Sequence, residues 1–268
     1  MTLNARQWGD APLPAIVFWH ALGPAGSAET INEVAPVLVA RGRRVIGIDG
    51  PGFGASPVLP PEQYELDVLA RLALDEVDAL GIERFVFMGH SWGGAIGWNV
   101  VGLAPERVEA LVLLDSGHID YADIEEPRTA AERIATAPDF RWPSLEAFEQ
   151  DLRDGLPRYT PEVLAAYRAG LREEGGELVG APAEARGAAM AGLTTRVSPF
   201  WPLAAEHDIP VLLLLATQPP HVDQNRAHLP RFDQALPGAD VRWIDGAGHG
   251  LLTDVGPELG DLIADWLD

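Results

Sequence analysis

Apolar positions along this chain follow two rhythms. Short unbroken runs of Val, Ile, Leu and Phe alternate with stretches where apolar residues recur every three or four positions. The first rhythm marks strands buried on both faces, and the second marks amphipathic helices. Thr2 to Trp8 offers at most one short strand. Ala15 to Trp19 (AIVFW) predicts a buried strand that ends in the turn-rich His20-Ala21-Leu22-Gly23-Pro24. A helix follows to about Arg41, with Pro36 in its first turn and Gly42 as its stop. Arg44 to Ile48 is the next strand, and the loop Asp49-Gly50-Pro51-Gly52-Phe53-Gly54 comes after it. Glu62 to Leu80 predicts an amphipathic helix, with Leu69, Leu72, Ala73, Val77 and Leu80 on one face and Gly81 ending it.

Phe85 to Met88 predicts a strand, Gly94 to Leu103 a helix of small residues, and Val108 to Leu114 another strand, ending at Asp115. The pattern then changes. Ser116 to Asp208 has no long β run, and carries short helical patterns at Leu145 to Leu152, Pro161 to Leu171 and Ala183 to Met190. The first rhythm returns with Pro210 to Leu215, then a helical stretch interrupted at Pro230, a strand at Val241 to Ile244 and a last helix at Pro257 to Leu267. Alternation with short links predicts an α/β fold, with a mostly parallel central sheet flanked by helices. Residues 1–115 and 209–268 are expected to form that core, and 116–208 an inserted helical cap.

Composition narrows the chemistry. Cysteine and lysine are both absent, so all 19 basic residues are arginine. That excludes disulfides, thiol nucleophiles, cysteine metal sites, a lysine Schiff base and a P-loop lysine. The net charge of −21 disfavours nucleic acid, anionic membranes and strongly anionic substrates. The start of the chain lacks the long apolar core of a secretory signal, and the longest apolar run, Ile209 to Ala216, is too short to span a bilayer. A cytoplasmic setting is the expectation.

The candidate chemistry lies where a strand meets a helix. Gly89-His90-Ser91-Trp92-Gly93 is a G-x-S-x-G sequence between the strand at Phe85 and the helix at Gly94. Such a turn lifts the serine hydroxyl into a cleft above the strand ends. The glycines two before and two after admit close backbone approach, and the helix N-terminus faces charge developing at the serine. Ser91 needs a base, and seven histidines are available. His249, in Ile244-Asp245-Gly246-Ala247-Gly248-His249-Gly250, sits in a glycine-rich loop just past a strand, where it can reach that cleft.

His20-Ala21-Leu22-Gly23, the Asp49 to Gly54 loop, Gly89 to Gly94 and Gly246 to His249 together resemble the α/β-hydrolase superfamily, in its cap-bearing serine hydrolase branch. The resemblance implies Ser91 as nucleophile, His249 as general base, and an oxyanion hole made by the backbone N–H groups of Trp92 and Leu22. It also implies seven strands where eight are usual. The turn reads His20-Ala21 where the family commonly has His-Gly. Trp92 and His20 are candidates to face substrate, although His20 also fits as a brace for the oxyanion loop.

The acid has two candidates. Many members place it after the strand that here is Pro210 to Leu215, but no carboxylate appears there before Asp223. Others place it after the strand that follows the elbow helix, and Asp115 sits there. Asp49 is expected to fix its own loop and His90 to be structural. His118 and Asp120 offer two metal ligands without a third. The cap aromatics Phe140, Trp142, Phe148, Tyr159, Tyr167, Phe200 and Trp201 are expected mostly to pack helices, with a few facing substrate.

The implied reaction is cofactor-free cleavage of a small to medium uncharged ester or lactone through an acyl-enzyme. Amide, thioester and carbon–carbon bond hydrolysis, or perhydrolysis, could use the same groups. A ligand-binding protein that has lost turnover is the rival reading. Dehalogenase and epoxide hydrolase members of the superfamily carry aspartate where this chain has Ser91.

Overall fold

The computed structural model describes residues 2–11, 14–124 and 126–268. Its strands are β1 (Ala5–Trp8), β2 (Ala15–Trp19), β3 (Arg44–Ile48), β4 (Phe85–His90), β5 (Val108–Leu114), β6 (Arg141–Trp142), β7 (Arg172–Glu174), β8 (Glu177–Val179), β9 (Val211–Ala216) and β10 (Asp240–Ile244). Its helices are α1 (Ala35–Ala40), α2 (Leu66–Ala79), α3 (Trp92–Leu103), α4 (Pro127–Ala135), α5 (Leu145–Gly155), α6 (Pro161–Ala169), α7 (Ala183–Gly192), α8 (Trp201–Glu206), α9 (His221–Ala235), α10 (Leu251–Val255) and α11 (Pro257–Leu267).

Seven strands form the main sheet in the order β1-β3-β2-β4-β5-β9-β10. β1 runs antiparallel to β3, and every other pairing in this sheet is parallel. Alternate residues of a strand face opposite sides, so both faces must be covered for these runs to be buried. Val17, Trp19, Phe87, Leu111 and Leu213 face the layer holding α2, α3, α8 and α9. Ile16, Phe18, Met88, Val112 and Leu212 face α1, α10 and α11. α3 lies between the sheet and other helices and is buried from Trp92 to Val101, which is why its sequence shows no polar stripe.

Parallel pairing brings the C-terminal ends of β2, β3, β4, β5, β9 and β10 to one edge. Each loop of chemical interest leaves from that edge. Register fixes their spacing, with His90 beside Leu114 and Leu114 beside Leu214.

The segment between β5 and β9 departs from the expected purely helical character. The three helical patterns are present as α5, α6 and α7, but β6, β8 and β7 also form a small antiparallel sheet. Its hairpin turns at Gly175-Gly176, both with positive φ (60° and 90°), a conformation glycine takes without strain. Strands of two or three residues carry too little alternation to be read from sequence. Two further boundaries differ. Glu62 to Leu80 divides at the extended Glu65 into a 3₁₀ turn, Pro61–Tyr64, and α2. Pro230 does not interrupt α9. Pro230 and Arg226 are both exposed, so water can take the main-chain acceptor that the proline leaves without its N–H. Among the described residues, no helix is long and apolar enough to cross a membrane.

Candidate active site

The turn from β4 into α3 places Ser91 at φ 54° and ψ −111°. A side chain rarely takes such angles, and three non-glycine residues with positive φ occur among the described residues: Ser91, Asp115 and Asp208. Two of the three are the candidate nucleophile and acid, which is where stored backbone strain is expected. The Ser91 N–H donates to Leu114 O (3.1 Å), and Gly94 N–H donates to Ser91 O (3.0 Å). The flanking glycines are steric necessities. A Cβ on Gly93 would overlap the Trp19 carbonyl, and one on Gly89 would overlap the Gly93 backbone.

His249 arrives from the loop between β10 and α10. Its Nδ1 lies 2.7 Å from Asp115 Oδ2. Its main-chain oxygen accepts from His90 Nε2 at 2.6 Å. Thr217 and Gln218 N–H both reach Ala247 O at 3.0 Å, and Gly248 N–H reaches Asp254 Oδ2 at 2.8 Å, so the loop is tied at the two residues that precede the histidine. Burial, then the neighbouring His249, push the His90 imidazole down to about 3. His90 is therefore neutral at neutral pH, with its proton on Nε2. It is structural, as expected, and its task is to hold the loop that carries His249.

Asp115 ends β5 at φ 47°, its N–H donating to Leu214 O at 2.7 Å. Oδ1 accepts from Ala216 N–H (2.9 Å) and from Asn225 Nδ2 (2.6 Å), which leaves Oδ2 for His249. Burial by itself would raise this carboxyl's pKa. The bonds from His249, Ala216 and Asn225 outweigh that and hold it below the usual carboxylate value. Asn225 is itself oriented, because His118 Nε2 sits 3.1 Å from its Oδ1. Burial pushes His118 down to about 4, so it is a neutral donor. Asp223, the other acid candidate, is exposed in the first turn of α9 and has no hydrogen bond to His249 among the described residues.

A cavity of about 260 Å³ opens over this arrangement. Ser91, His249, Asp115, Trp92 and Leu22 all line it. Trp92 is the first residue of α3, so its N–H has no acceptor within the helix. The Leu22 N–H has no acceptor among the described residues. Apolar walls come from Ala95, Ile119, Ile124, Met190, Leu193 and Val197.

Three expectations need correction. His20 does not face the cavity. It is fully buried, with Nδ1 donating to Ala21 O (2.8 Å) and Nε2 accepting from Gly50 N–H (2.9 Å). It braces the loop that follows β2 against the Asp49 loop, and burial lowers its pKa. The Trp92 indole, placed facing substrate from sequence, packs inward against Trp19, His20 and Phe53, with ring centroids 5.4–5.9 Å apart. Of the aromatics between β5 and β9, none of the seven named from sequence lines this cavity, while Tyr121 does. Trp142, Phe148, Tyr159 and Tyr167 form a separate small core, and Trp201 Nε1 donates to Gly117 O at 2.9 Å.

His118 and Asp120 do not converge on a common point. Asp120 accepts from Val197 N–H (2.7 Å), Ser198 N–H (2.9 Å) and Ser198 Oγ (2.6 Å), and pairs with Arg196 and Arg231. Asp49 fixes its own loop through Ala55 N–H (2.9 Å), and also holds Ala28 N–H (2.6 Å) and Asn4 (2.7 Å).

Sequence reasoning missed Asn225 and His221. Asn225 gives no sequence signal, since its partner lies 110 positions away. His221 opens α9 directly after the loop where many superfamily members carry the acid, and that position was the available clue.

A family model described as alpha/beta hydrolase fold matches residues 14–254. A bifunctional epoxide hydrolase 2 of Sus scrofa is 39% identical over 82 residues, 30% of this chain and 15% of that protein. An sn-1-specific diacylglycerol lipase of Mus musculus is 39% identical over 108 residues, 40% of this chain and 34% of that protein. The chain thus matches only about a third or less of the length of these two relatives. Among solved structures, an E-2-(acetamidomethylene)succinate hydrolase superposes with a TM-score of 0.80 at 23% identity, covering 99% of this chain and 95% of the other. At that identity the likeness speaks to the fold.

Proposed function

Because the chain belongs to the alpha/beta hydrolase fold family, we propose that it is a serine hydrolase cleaving small to medium uncharged carboxylic esters or lactones through an acyl-enzyme. The observation that carries this reading is the 2.7 Å contact between His249 Nδ1 and Asp115 Oδ2, in a cavity also lined by the strained Ser91. Asp115, held as a carboxylate, keeps the proton of neutral His249 on Nδ1. Nε2 is then left as the base.

Ser91 Oγ attacks the substrate carbonyl while His249 Nε2 takes its proton. The tetrahedral oxyanion is met by the N–H groups of Trp92 and Leu22, both without internal acceptors. Collapse expels the leaving alkoxide, which takes the proton from His249, and Ser91 remains acylated. Water then loses a proton to His249 and attacks the acyl carbon, and collapse releases the acid as Ser91 Oγ takes that proton back from His249. Asp115 stays ionised throughout, stabilising the imidazolium. His249, Asp115 and Ser91 complete this cycle without drawing on a cofactor.

We take residues 116–208 as a cap on a core of 1–115 and 209–268. It supplies Ile119, Ile124, Met190, Leu193 and Val197 to the cavity. Those walls favour an apolar acyl group. The cavity of about 260 Å³ lies below the ~300–1,000 Å³ of sites for drug-sized ligands, which favours short and medium chains. The epoxide hydrolase likeness does not bring that activity with it, since position 91 is serine.

A series of p-nitrophenyl esters of rising chain length, together with several lactones, tests the proposal. The expected result is turnover that peaks at short or medium acyl chains. Turnover confined to amide, thioester or carbon–carbon substrates would move the bond type and keep the mechanism.

A further inference from the structure

A second imidazole sits against the proposed base. The rings of His221 and His249 are 4.4 Å apart, centroid to centroid, and parallel to within 9°. The His90 ring stands 5.1 Å from that of His249, tilted by 46°. His221 Nδ1 is 3.8 Å from Asp115 Oδ2, too long for a hydrogen bond. Among the described residues, the His221 side chain makes no hydrogen bond, so its position is not explained by a polar partner.

The three polar atoms, one each from Asp115, His221 and His249, lie within 4.8 Å of one another, a spacing compatible with a cation. The ring orientation argues otherwise. An imidazole nitrogen directs its lone pair in the plane of the ring. Two parallel stacked rings point those lone pairs side by side, so they do not converge on one ion.

Stacking itself is the feature left to interpret. His249 is one third exposed, and among the described residues its one side-chain hydrogen bond, to Asp115, fixes Nδ1 while leaving the ring some freedom to tilt. A flat wall on one face removes this freedom. We propose that His221 is a positioning residue, its ring forming the wall that holds the His249 imidazole in the plane where Nδ1 meets Asp115 and Nε2 faces Ser91.

The start of α9 places that wall accurately, because Val222 and Asn225 anchor the same turn in the interior. Burial, then the neighbouring His249, hold the pKa of His221 below its ordinary value, so the ring is uncharged near neutrality and does not compete for Asp115. This inference rests on the proposal that His249 is the base of a hydrolase. Aromatic stacks of this kind shift an equilibrium by about two- to tenfold.

The test compares His221→Ala with His221→Phe. On the best p-nitrophenyl ester, His221→Ala should lower kcat about tenfold with KM within about twofold, and His221→Phe, which keeps the flat face, should restore most of it. Thermal melts establish that both variants are folded. A second readout needs no substrate: the low-field proton resonance of His249 Nδ1–H should be sharp in the wild type and in His221→Phe, and broadened in His221→Ala. Wild-type kcat and a sharp resonance in His221→Ala would overturn the proposal. A loss in KM alone would make His221 a substrate contact instead. If His221→Phe is as impaired as His221→Ala, the ring face is not what matters. A wild type that neither turns over nor labels with a serine-directed probe sinks the hydrolase reading, while the resonance still decides whether His221 holds the ring. Absence of that resonance in the wild type overturns the inference too.

Discussion

Replacing Asp115 by asparagine changes one atom, and the structure dictates which way the new amide must face. Two donors, Ala216 N–H at 2.9 Å and Asn225 Nδ2 at 2.6 Å, converge on Oδ1. The introduced amide keeps its oxygen there, because an NH₂ group would oppose both donors. Its NH₂ then occupies the place of Oδ2, 2.7 Å from His249 Nδ1. A donor facing Nδ1 forces the ring proton onto Nε2, and a protonated Nε2 cannot accept from Ser91. On the proposed mechanism the base is lost while packing is kept. The same exchange in a serine protease triad costs about 10⁴-fold in kcat, or ~5.4 kcal/mol, and a similar loss is expected here. Stability should fall less, by about 1–2 kcal/mol, since the hydrogen bonds persist without the charge. The assay is kcat/KM on the best ester, with a thermal melt of the same sample. Asp223→Asn serves as the comparison and should stay near the wild type. An Asp115→Asn protein within tenfold of wild-type activity would refute the argument, and a collapse in Asp223→Asn instead would transfer the acid role.

Two further outcomes follow from the same geometry. His90 and His118 are buried and neutral, with pKa values pushed to about 3 and about 4 from 6.5. Their folded values lie below their unfolded ones, so the stability they confer is complete above pH 6.5 and is lost as pH falls toward 4. Each should add ~1.4 kcal/mol per pH unit to the slope of unfolding free energy between those limits, measured by urea titration at pH 7, 6 and 5; a flat profile there contradicts the burial argument. Gly93→Ala drives a Cβ into the Trp19 carbonyl, a backbone atom that cannot swing aside, and should cost about 2–4 kcal/mol in a chemical melt; a variant as stable as the wild type would mean that the elbow is looser than described.

Much of the site was legible because its signals are local. The G-x-S-x-G turn sits between a buried strand and a helix, and close backbone approach at Gly89 and Gly93 demands glycine at both positions. Asp115 and His249 were legible as ends of strands, since parallel pairing brings those ends to one edge. Choosing between Asp115 and Asp223 required the path of α9, which the sequence does not contain: the helix turns Asn225 inward and Asp223 outward. His20 misled for a physical reason. Its neighbours in sequence belong to the loop proposed to hold the oxyanion, but its ring bonds instead to the Gly50 N–H. The hairpin at Gly175-Gly176 had a turn signal, yet its strands are too short for periodicity to register. His221 gave no periodic signal, because its contact with His249 depends on the start of α9 meeting the loop after β10.

The most direct test of the central claim is mass spectrometry after exposure to a fluorophosphonate probe. The account predicts a single adduct on the peptide carrying Ser91, absent in Ser91→Ala and formed far more slowly in His249→Gln. An unlabelled wild type, or an adduct on a different residue, would contradict it.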